Sequence, residues 1–271
     1  DEIVICWDGE GGSQRRKSKN KGYKEGRKPI RLNRDIRNLS ENEEVSNKIW
    51  QQTRLVEFLN ELPMIQLMLP AVEADDIISV VVQHPVYDGW QKVIVSSDKD
   101  FFQLCDEETL VLRPIQKQII SEKTLIEEYG IHPKNFALAR AIVGDKSDNL
   151  PGVGGIGLPT IKKRFPFLSE DNGYNIETIV SYCANQESKV KAFSNILEKQ
   201  SVIEENYQLM QLYAPSLSVQ GKQKINFALE NFEPEFAKTN IKAMMIEDGF
   251  GVINFVDLFA AMNKIVADSK L

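Results

Sequence analysis

The sequence predicts an α/β protein, with a twisted, mainly parallel sheet and its helices over residues 1–140 and a helical part over 141–271. Three observations predict it. Short apolar runs at 2–7, 64–69, 93–95 and 109–112 alternate with helical patterns, as strand–helix–strand units require. Past Ser121 nearly every segment carries helical periodicity. Between these regimes lies a glycine-rich stretch, 144–157, which stops one helix just before another starts.

Taken in order, residues 2–7 read as a buried strand closed by the turn signal Asp8-Gly9. Residues 9–38 are rich in Gly, Lys, Arg and Asn and poor in apolar anchors, so they read as loop or weakly ordered helix. Ser40 and Glu43 have the spacing of a capping box. Val45, Ile49, Val56 and Leu59 continue the helix until Pro63. Residues 64–69 form the second strand, and 73–83 a helix whose acidic first turn suits the helix dipole. The run 93–95 is a strand ending at Ser96-Ser97-Asp98, and 109–112 is another. Helices are then expected at 121–129, 133–143, 158–165, 174–185, 187–213 and 253–266.

Hydrophobic residues make up 42% of the chain and charged residues 27%, ordinary values for a soluble globular protein. No run approaches the roughly 18 apolar residues that would span a bilayer, and no signal peptide opens the chain. Cys6, Cys105 and Cys183 lie far apart without a CxxC pair, which argues for reduced thiols in a cytoplasmic protein. Trp7, Trp50 and Trp90 are expected in the core, and His84 and His132 as satisfied or surface histidines. The net charge of −6 conceals a strong polarity. Between Gly11 and Arg37 stand eleven basic residues against Glu25 and Asp35, while the remaining chain is acidic.

Four acidic groups fall where strands end or helices begin: Asp8; Glu73 with Asp75 and Asp76; Asp98 with Asp100; and Asp145 with Asp148 in the glycine-rich loop. Ligand sites of open α/β sheets lie at the carboxyl ends of strands, so the first three groups should converge. Glu73 and Asp76, three apart on a helix, would share a face. Crowded carboxylates repel one another unless cations neutralise them, and oxygen-only donors select hard ions such as Mg2+ or Mn2+. Two such ions about 4 Å apart suit phosphodiester chemistry. The basic tract supplies the opposite charge. Lys24 and Arg27 would share a helix face beside the scissile phosphate, and the Tyr23 ring could stack on a base. Gly152, Val153, Gly154, Gly155 and Gly157, followed by Lys162 and Lys163, read as a hairpin that grips a nucleic-acid backbone without reading its sequence.

The stretches WDGEGGSQRRK with GYKEGRKP, VEADDIISVVV, VIVSSDKDFFQL and AIVGDKSDNLPGVGGIG stand in the order found in the 5′-nucleases. Over roughly residues 3–165 the chain resembles this family of bacteriophage 5′-exonucleases, polymerase-linked bacterial nuclease domains and, more distantly, eukaryotic flap endonucleases. The resemblance implies a PIN-like α/β core, an arch from about 17–45 and a helix-three-turn-helix at 145–165. It implies that Asp8, Glu73, Asp75, Asp76, Asp98, Asp100, Asp145 and Asp148 are metal-site carboxylates, with Asp100 an outer ligand and Asp148 the partner of Asp145 at a second ion. Arg16, Lys24 and Arg27 match basic residues that contact the phosphate, and the hairpin carbonyls match a K+ site. The implied activity is Mg2+-dependent, structure-selective cutting of DNA, or of RNA paired with DNA, at 5′ flaps or ends. Its setting would be replication or repair in a bacterial or phage-infected cell, by a monomer working beside a polymerase or single-stranded-DNA-binding protein. Family members carry a further strand and helix, bearing an early metal-site aspartate, ahead of the position matched by Asp1. The expectation is therefore a trimmed chain, an early aspartate on a separate piece, or an incomplete site, the last leaving a DNA-binding protein without nuclease activity.

Overall fold

β1 (Val4–Trp7) and β2 (Ile65–Met68) pair in parallel, with Val4 opposite Ile65 and Trp7 opposite Met68. Their structure, like all that follows, comes from a computed structural model that describes residues 1–26, 39–186 and 190–268. The described residues fall into two compact units, each discontinuous in sequence. One lies within 1–7, 28–68 and 223–271, and the other within 8–27 and 69–222. The boundary expected near 140 does not divide them, because α5 (Pro133–Val143) runs through it and buries Phe136, Leu138 and Ile142 in one core.

The first unit joins the β1–β2 pair to α2 (Glu41–Asn60) and to the C-terminal helices α11 (Lys238–Glu247) and α12 (Phe255–Asp268). The capping box is present: the Ser40 hydroxyl accepts from the Glu43 amide, while the Glu43 carboxylate accepts from the Ser40 amide at 2.7 Å. Phe58 packs edge-on against Phe250, and Arg54 forks onto Asp248. Trp50 is exposed, contrary to its expected place in a core.

The second unit holds the larger core and every residue of the candidate site that the structure describes. β3 (Lys92–Val95) and β4 (Thr109–Arg113) run parallel, and β5 (Gln118–Ile120) returns antiparallel to β4. A connection of four residues between β4 and β5 is too short for a parallel crossover. The described strands thus form two sheets, β1–β2 and β3–β4–β5. Alternation of strands and helices foretells parallel pairing, but it carries no information on which strands become neighbours.

Around the second sheet stand α3 (Ala74–Val82), α4 (Glu122–Tyr129), α5, α6 (Leu158–Arg164), α7 (Ile176–Ala184), α8 (Lys191–Glu198) and α9 (Gln200–Met210). Phe102, Phe136, Phe165, Ile161 and Leu168 are fully buried in one apolar cluster. Two buried amides tie its polar edges. Asn206 donates to the carbonyls of Ala141 and Pro151, and Gln103 bonds Met210 and Leu212. Trp90, also expected inside, is exposed, while His84 and His132 are buried with Nδ1 accepting a backbone amide two residues on. α1 (Gln14–Lys19) occupies part of the stretch read as loop or weakly ordered helix, and α10 (Val219–Glu230) and α11 have no counterpart among the expected helices.

Candidate metal and nucleic-acid site

The N-terminus of α3 gathers one acidic group. Glu73 is its extended N-cap residue, with φ −79° and ψ 152°, rather than part of the helix, so the i, i+3 argument for Glu73 and Asp76 does not apply. Their side chains converge through a cation instead. Arg16, on α1, is buried and turns inward: Nη1 reaches Glu73 and, at 3.2 Å, Asp75, Nη2 lies 3.0 Å from Asp76, and Nε donates to the Leu209 carbonyl at 3.0 Å. Lys24 Nζ bonds the other oxygen of Glu73. Asp8 joins the group by accepting the Ala74 amide at 2.9 Å, which caps the first turn of α3.

Two expected roles change here. Arg16 faces carboxylates and is nearly sealed from solvent, so it is not free to meet a phosphate as placed. Tyr23 is 3% exposed, packed with Leu150, Leu209 and Met210, and its hydroxyl donates to Glu73 at 3.2 Å. No face of its ring is open to a base. Burial, reinforced by Glu73 and Asp148 against the pull of Arg16, raises its phenol far above the ordinary range. Charge density along the tract marks a solvated face, and it cannot reveal two residues turned inward.

A second group forms where β3 ends. Asp98 is exposed and caps the following 3₁₀ turn by accepting the Asp100 amide at 2.9 Å. Arg140, on α5, bridges Asp100 (Nε to Oδ1, 3.0 Å) and Asp145, whose other oxygen accepts from the Ser147 amide and hydroxyl at 2.6 Å. Arg140 was not foreseen. Its signal is a single arginine in the apolar helix run FALARAIV, where an unpaired charge would be costly.

Residues 20–25 tie the first group to the loop that carries Asp145 and Asp148. The Lys24 amide donates to the Asp148 carbonyl at 2.9 Å while its ammonium holds Glu73. Burial pushes the Asp75 carboxyl up to about 7 against the opposing pull of Arg16, with Asp76 and Glu73 adding repulsion. Burial likewise lifts Asp100 to about 6, opposed by Arg140 and reinforced by Asp98 and Asp145. Burial would raise Glu73 and Asp145 too, but cationic and hydrogen-bonding partners hold both below the ordinary carboxylate range.

The donors are carboxylate oxygens throughout, the set that hard divalent ions prefer. Asp75 and Asp100, raised by burial and by their acidic neighbours, mark positions where an added cation would relieve a cost. The donor set therefore fits such an ion in kind. Among the described residues, however, no three acidic, histidine or cysteine side chains already stand close enough together to hold one, and Arg16, Lys24 and Arg140 balance the charge. Arg27 lies outside the described residues, as does much of the stretch read as an arch.

The glycine-rich stretch folds back on itself. Asp145 and Leu150 form an antiparallel bridge, and the Val153 amide returns to the Ile142 carbonyl at 2.8 Å. A Cβ on Gly152 would stand 1.8 Å from the Val143 carbonyl oxygen, so this glycine serves close packing. Val153 is buried in the core and presents no side chain to a ligand. Gly154 and Gly155 face open space, Gly157 precedes α6, and Lys163 is exposed. Lys162 is engaged elsewhere, its ammonium donating to the Glu127 and Glu128 carbonyls at the end of α4.

Comparison with known proteins accords with this geometry. The family described as 5′-3′ exonuclease, N-terminal resolvase-like domain, matches residues 1–130. The chain is 39% identical over 140 residues to a 5′-3′ exonuclease of Buchnera aphidicola subsp. Schizaphis graminum, covering 50% of this chain and 48% of that protein. It is 32% identical over 164 residues to the thermostable DNA polymerase I of Thermus aquaticus, covering 60% of this chain and 18% of the polymerase. The matches thus span about half, or far less, of these relatives. In fold, the chain is similar to the 5′-exonuclease of bacteriophage T5 with bound zinc, at a TM-score of 0.65 and 18% identity over 85% of this chain and 84% of that one. A T5 flap endonuclease in a pseudo-enzyme–product complex with DNA and metal ions gives a TM-score of 0.60, covering 90% of this chain and 83% of that one. An α/β core followed by a helical part, with acidic groups where its strands end and its helices begin, is thus similar in fold to the T5 5′-nuclease, and over residues 1–130 it is similar in sequence to the 5′-3′ exonuclease domain.

Proposed function

We propose that the protein is a divalent-metal-dependent 5′-nuclease that hydrolyses phosphodiester bonds near 5′ ends or flaps of DNA. The observation that carries this reading is that Lys24 links the first carboxylate group to the loop bearing Asp145 and Asp148, its ammonium on Glu73 and its backbone amide on the Asp148 carbonyl. Glu73, Asp75, Asp76 and Asp8 would hold one Mg2+ ion, and Asp98, Asp100, Asp145 and Asp148 a second, with Mn2+ able to substitute. When bound, such ions supply Lewis-acid stabilisation of the phosphate oxygens. Lys24, and Arg27 with it, would neutralise charge developing on the scissile phosphate. Arg16 would act at one remove, by holding Glu73, Asp75 and Asp76 together.

The hairpin at 145–165, read as a helix-three-turn-helix, would present the open amides at Gly154, Gly155 and Gly157 and the Lys163 ammonium to the DNA backbone, with K+ on its carbonyls. Removal of RNA primers, work in replication or repair and action as a cytoplasmic monomer beside a polymerase belong to the same reading. The test is cleavage of a labelled 5′-flap duplex by the full chain, with Mg2+, with Mn2+ and with chelator. The reading expects cleavage with either ion, none with chelator, and a product bearing a 5′-phosphate.

One observation favours a second reading. Arg16, Lys24 and Arg140 already balance the carboxylates, as they would in a protein that binds DNA without cutting it. Tight binding of the flap duplex with no cleavage in Mg2+ or Mn2+ would support that reading instead.

A further inference from the structure

Two residues with left-handed backbones face each other across the site. Lys24 has φ 55° and Asn149 has φ 58°, a region that side chains other than glycine rarely adopt. Asparagine tolerates it; lysine has no such preference. Something must hold Lys24 there, and the hydrogen bonds show what does. The Asn149 side-chain amide donates to the Gly22 carbonyl at 2.9 Å. Two residues on, the Lys24 amide donates to the Asp148 carbonyl at 2.9 Å. Asn20 closes the turn from within, its side-chain oxygen accepting the Gly22 amide at 2.9 Å. A Cβ on Gly22 would stand 3.1 Å from the Asn149 side-chain nitrogen, so the approach is tight as well as bonded.

This clip fixes the turn 20–25 to the loop 145–150 at two points, Gly22 to Asn149 and Lys24 to Asp148. Its consequence is chemical. With the backbone of residue 24 pinned to residue 148, the Lys24 side chain extends to the Glu73 carboxylate, beside Arg16, Asp75 and Asp76. We propose that Asn149 is a positioning residue: its side-chain amide, clipped to the Gly22 carbonyl, holds Lys24 in the left-handed conformation that delivers its ammonium to the acidic site. The clip also makes the placement of Lys24 depend on the glycine-rich hairpin, since Asp145 and Leu150 pair at the base of the loop that carries Asn149. The inference rests on the reading of Lys24 as a residue that acts on the phosphate.

The experiment is a double-mutant cycle of Asn149→Ala and Lys24→Ala, read by single-turnover flap cleavage and by binding of the same DNA. Beside it runs amide hydrogen exchange over residues 20–26 without DNA. Asn149→Ala is expected to slow cleavage about tenfold with DNA affinity changed less than about twofold, and to cause no further loss in a Lys24→Ala background. Exchange over residues 20–26 should speed up in Asn149→Ala. Asn149→Gly, which keeps the backbone freedom and deletes the amide, should match Asn149→Ala in both readouts. Additive losses in the double mutant, unchanged exchange, or full activity in Asn149→Gly would each overturn the proposal. Wild-type cleavage by Lys24→Ala alone would remove the role of Lys24 on which the proposal stands, whatever exchange shows.

Discussion

Arg16 carries the largest reassignment at the scale of single residues. A basic tract in a sequence suggests side chains pointing at a polyanion, yet Arg16 is spent on three carboxylates and one carbonyl inside the protein. Breaking a buried ion pair from one side leaves an uncompensated charge, so Arg16→Ala should cost about 3–5 kcal/mol of stability in denaturant unfolding without metal. Addition of Mg2+ should recover part of that loss, because the carboxylates left behind gain a new counter-ion. An Arg16→Ala protein as stable as the parent would contradict the assignment.

The same cluster sets a pH dependence. Asp75 is raised from 3.8 to about 7 and Asp100 from 3.8 to about 6, so the fold retains protons that the unfolded chain has released. Their contribution is present in full below about pH 4 and is lost as pH rises through about 6 to 7. Glu73 and Asp145 are lowered and act in the opposite sense, losing their contribution as pH falls through their depressed values. The metal-free melting temperature should therefore decline between about pH 5 and pH 7, and Mg2+ should flatten the decline by favouring the ionised carboxylates. A metal-free profile that climbs over that range would contradict the origin given for these shifts.

At the scale of elements, the hairpin shows what its glycines do. Gly152 packs against the Val143 carbonyl, whereas Gly154 opens onto solvent. Gly152→Ala should destabilise the fold by about 2 kcal/mol or more, through overpacking against rigid backbone. Gly154→Ala should leave the melting temperature nearly unchanged and weaken binding of duplex DNA. Equal thermal loss in both variants would contradict the division of labour. Much at this scale was legible in advance. The capping box at Ser40 and the helix from Pro133 to Val143 follow from local spacing, and the acidic first turn of α3 from the helix dipole. The expected long helix over 187–213 is instead α8 and α9, separated at Lys199. The helices α10 and α11 are not marked by periodicity because their apolar residues bunch in short runs rather than recurring at helical spacing, and the strand pairs are non-local choices that periodicity does not encode. The positions of the acidic groups were readable because carboxylates after strands and before helices are local features. Arg140 and Asn149 were not, because their roles exist only once distant segments meet.

For the whole molecule, a net charge of −6 and a DNA-binding reading are compatible because charge is unevenly distributed. Binding of a flap duplex should weaken steeply as salt rises, with a log–log slope reporting the phosphates neutralised. A salt-independent affinity would rule out a grip on the backbone. The chain matches an exonuclease domain over residues 1–130, and its fold extends the likeness to T5 nuclease over most of its length. In the proposed function, the two carboxylate groups and Lys24 act as one hydrolytic site.

The most direct test is the single-turnover rate of 5′-flap cleavage in Mg2+ by the parent chain, Asp75→Asn and Lys24→Ala, each compared at saturating protein. The expected result is metal-dependent cleavage by the parent chain and a loss of about a hundredfold or more in each variant, with the flap duplex still bound. Undiminished cleavage by Asp75→Asn, or tight binding without any cleavage by the parent chain, would contradict it.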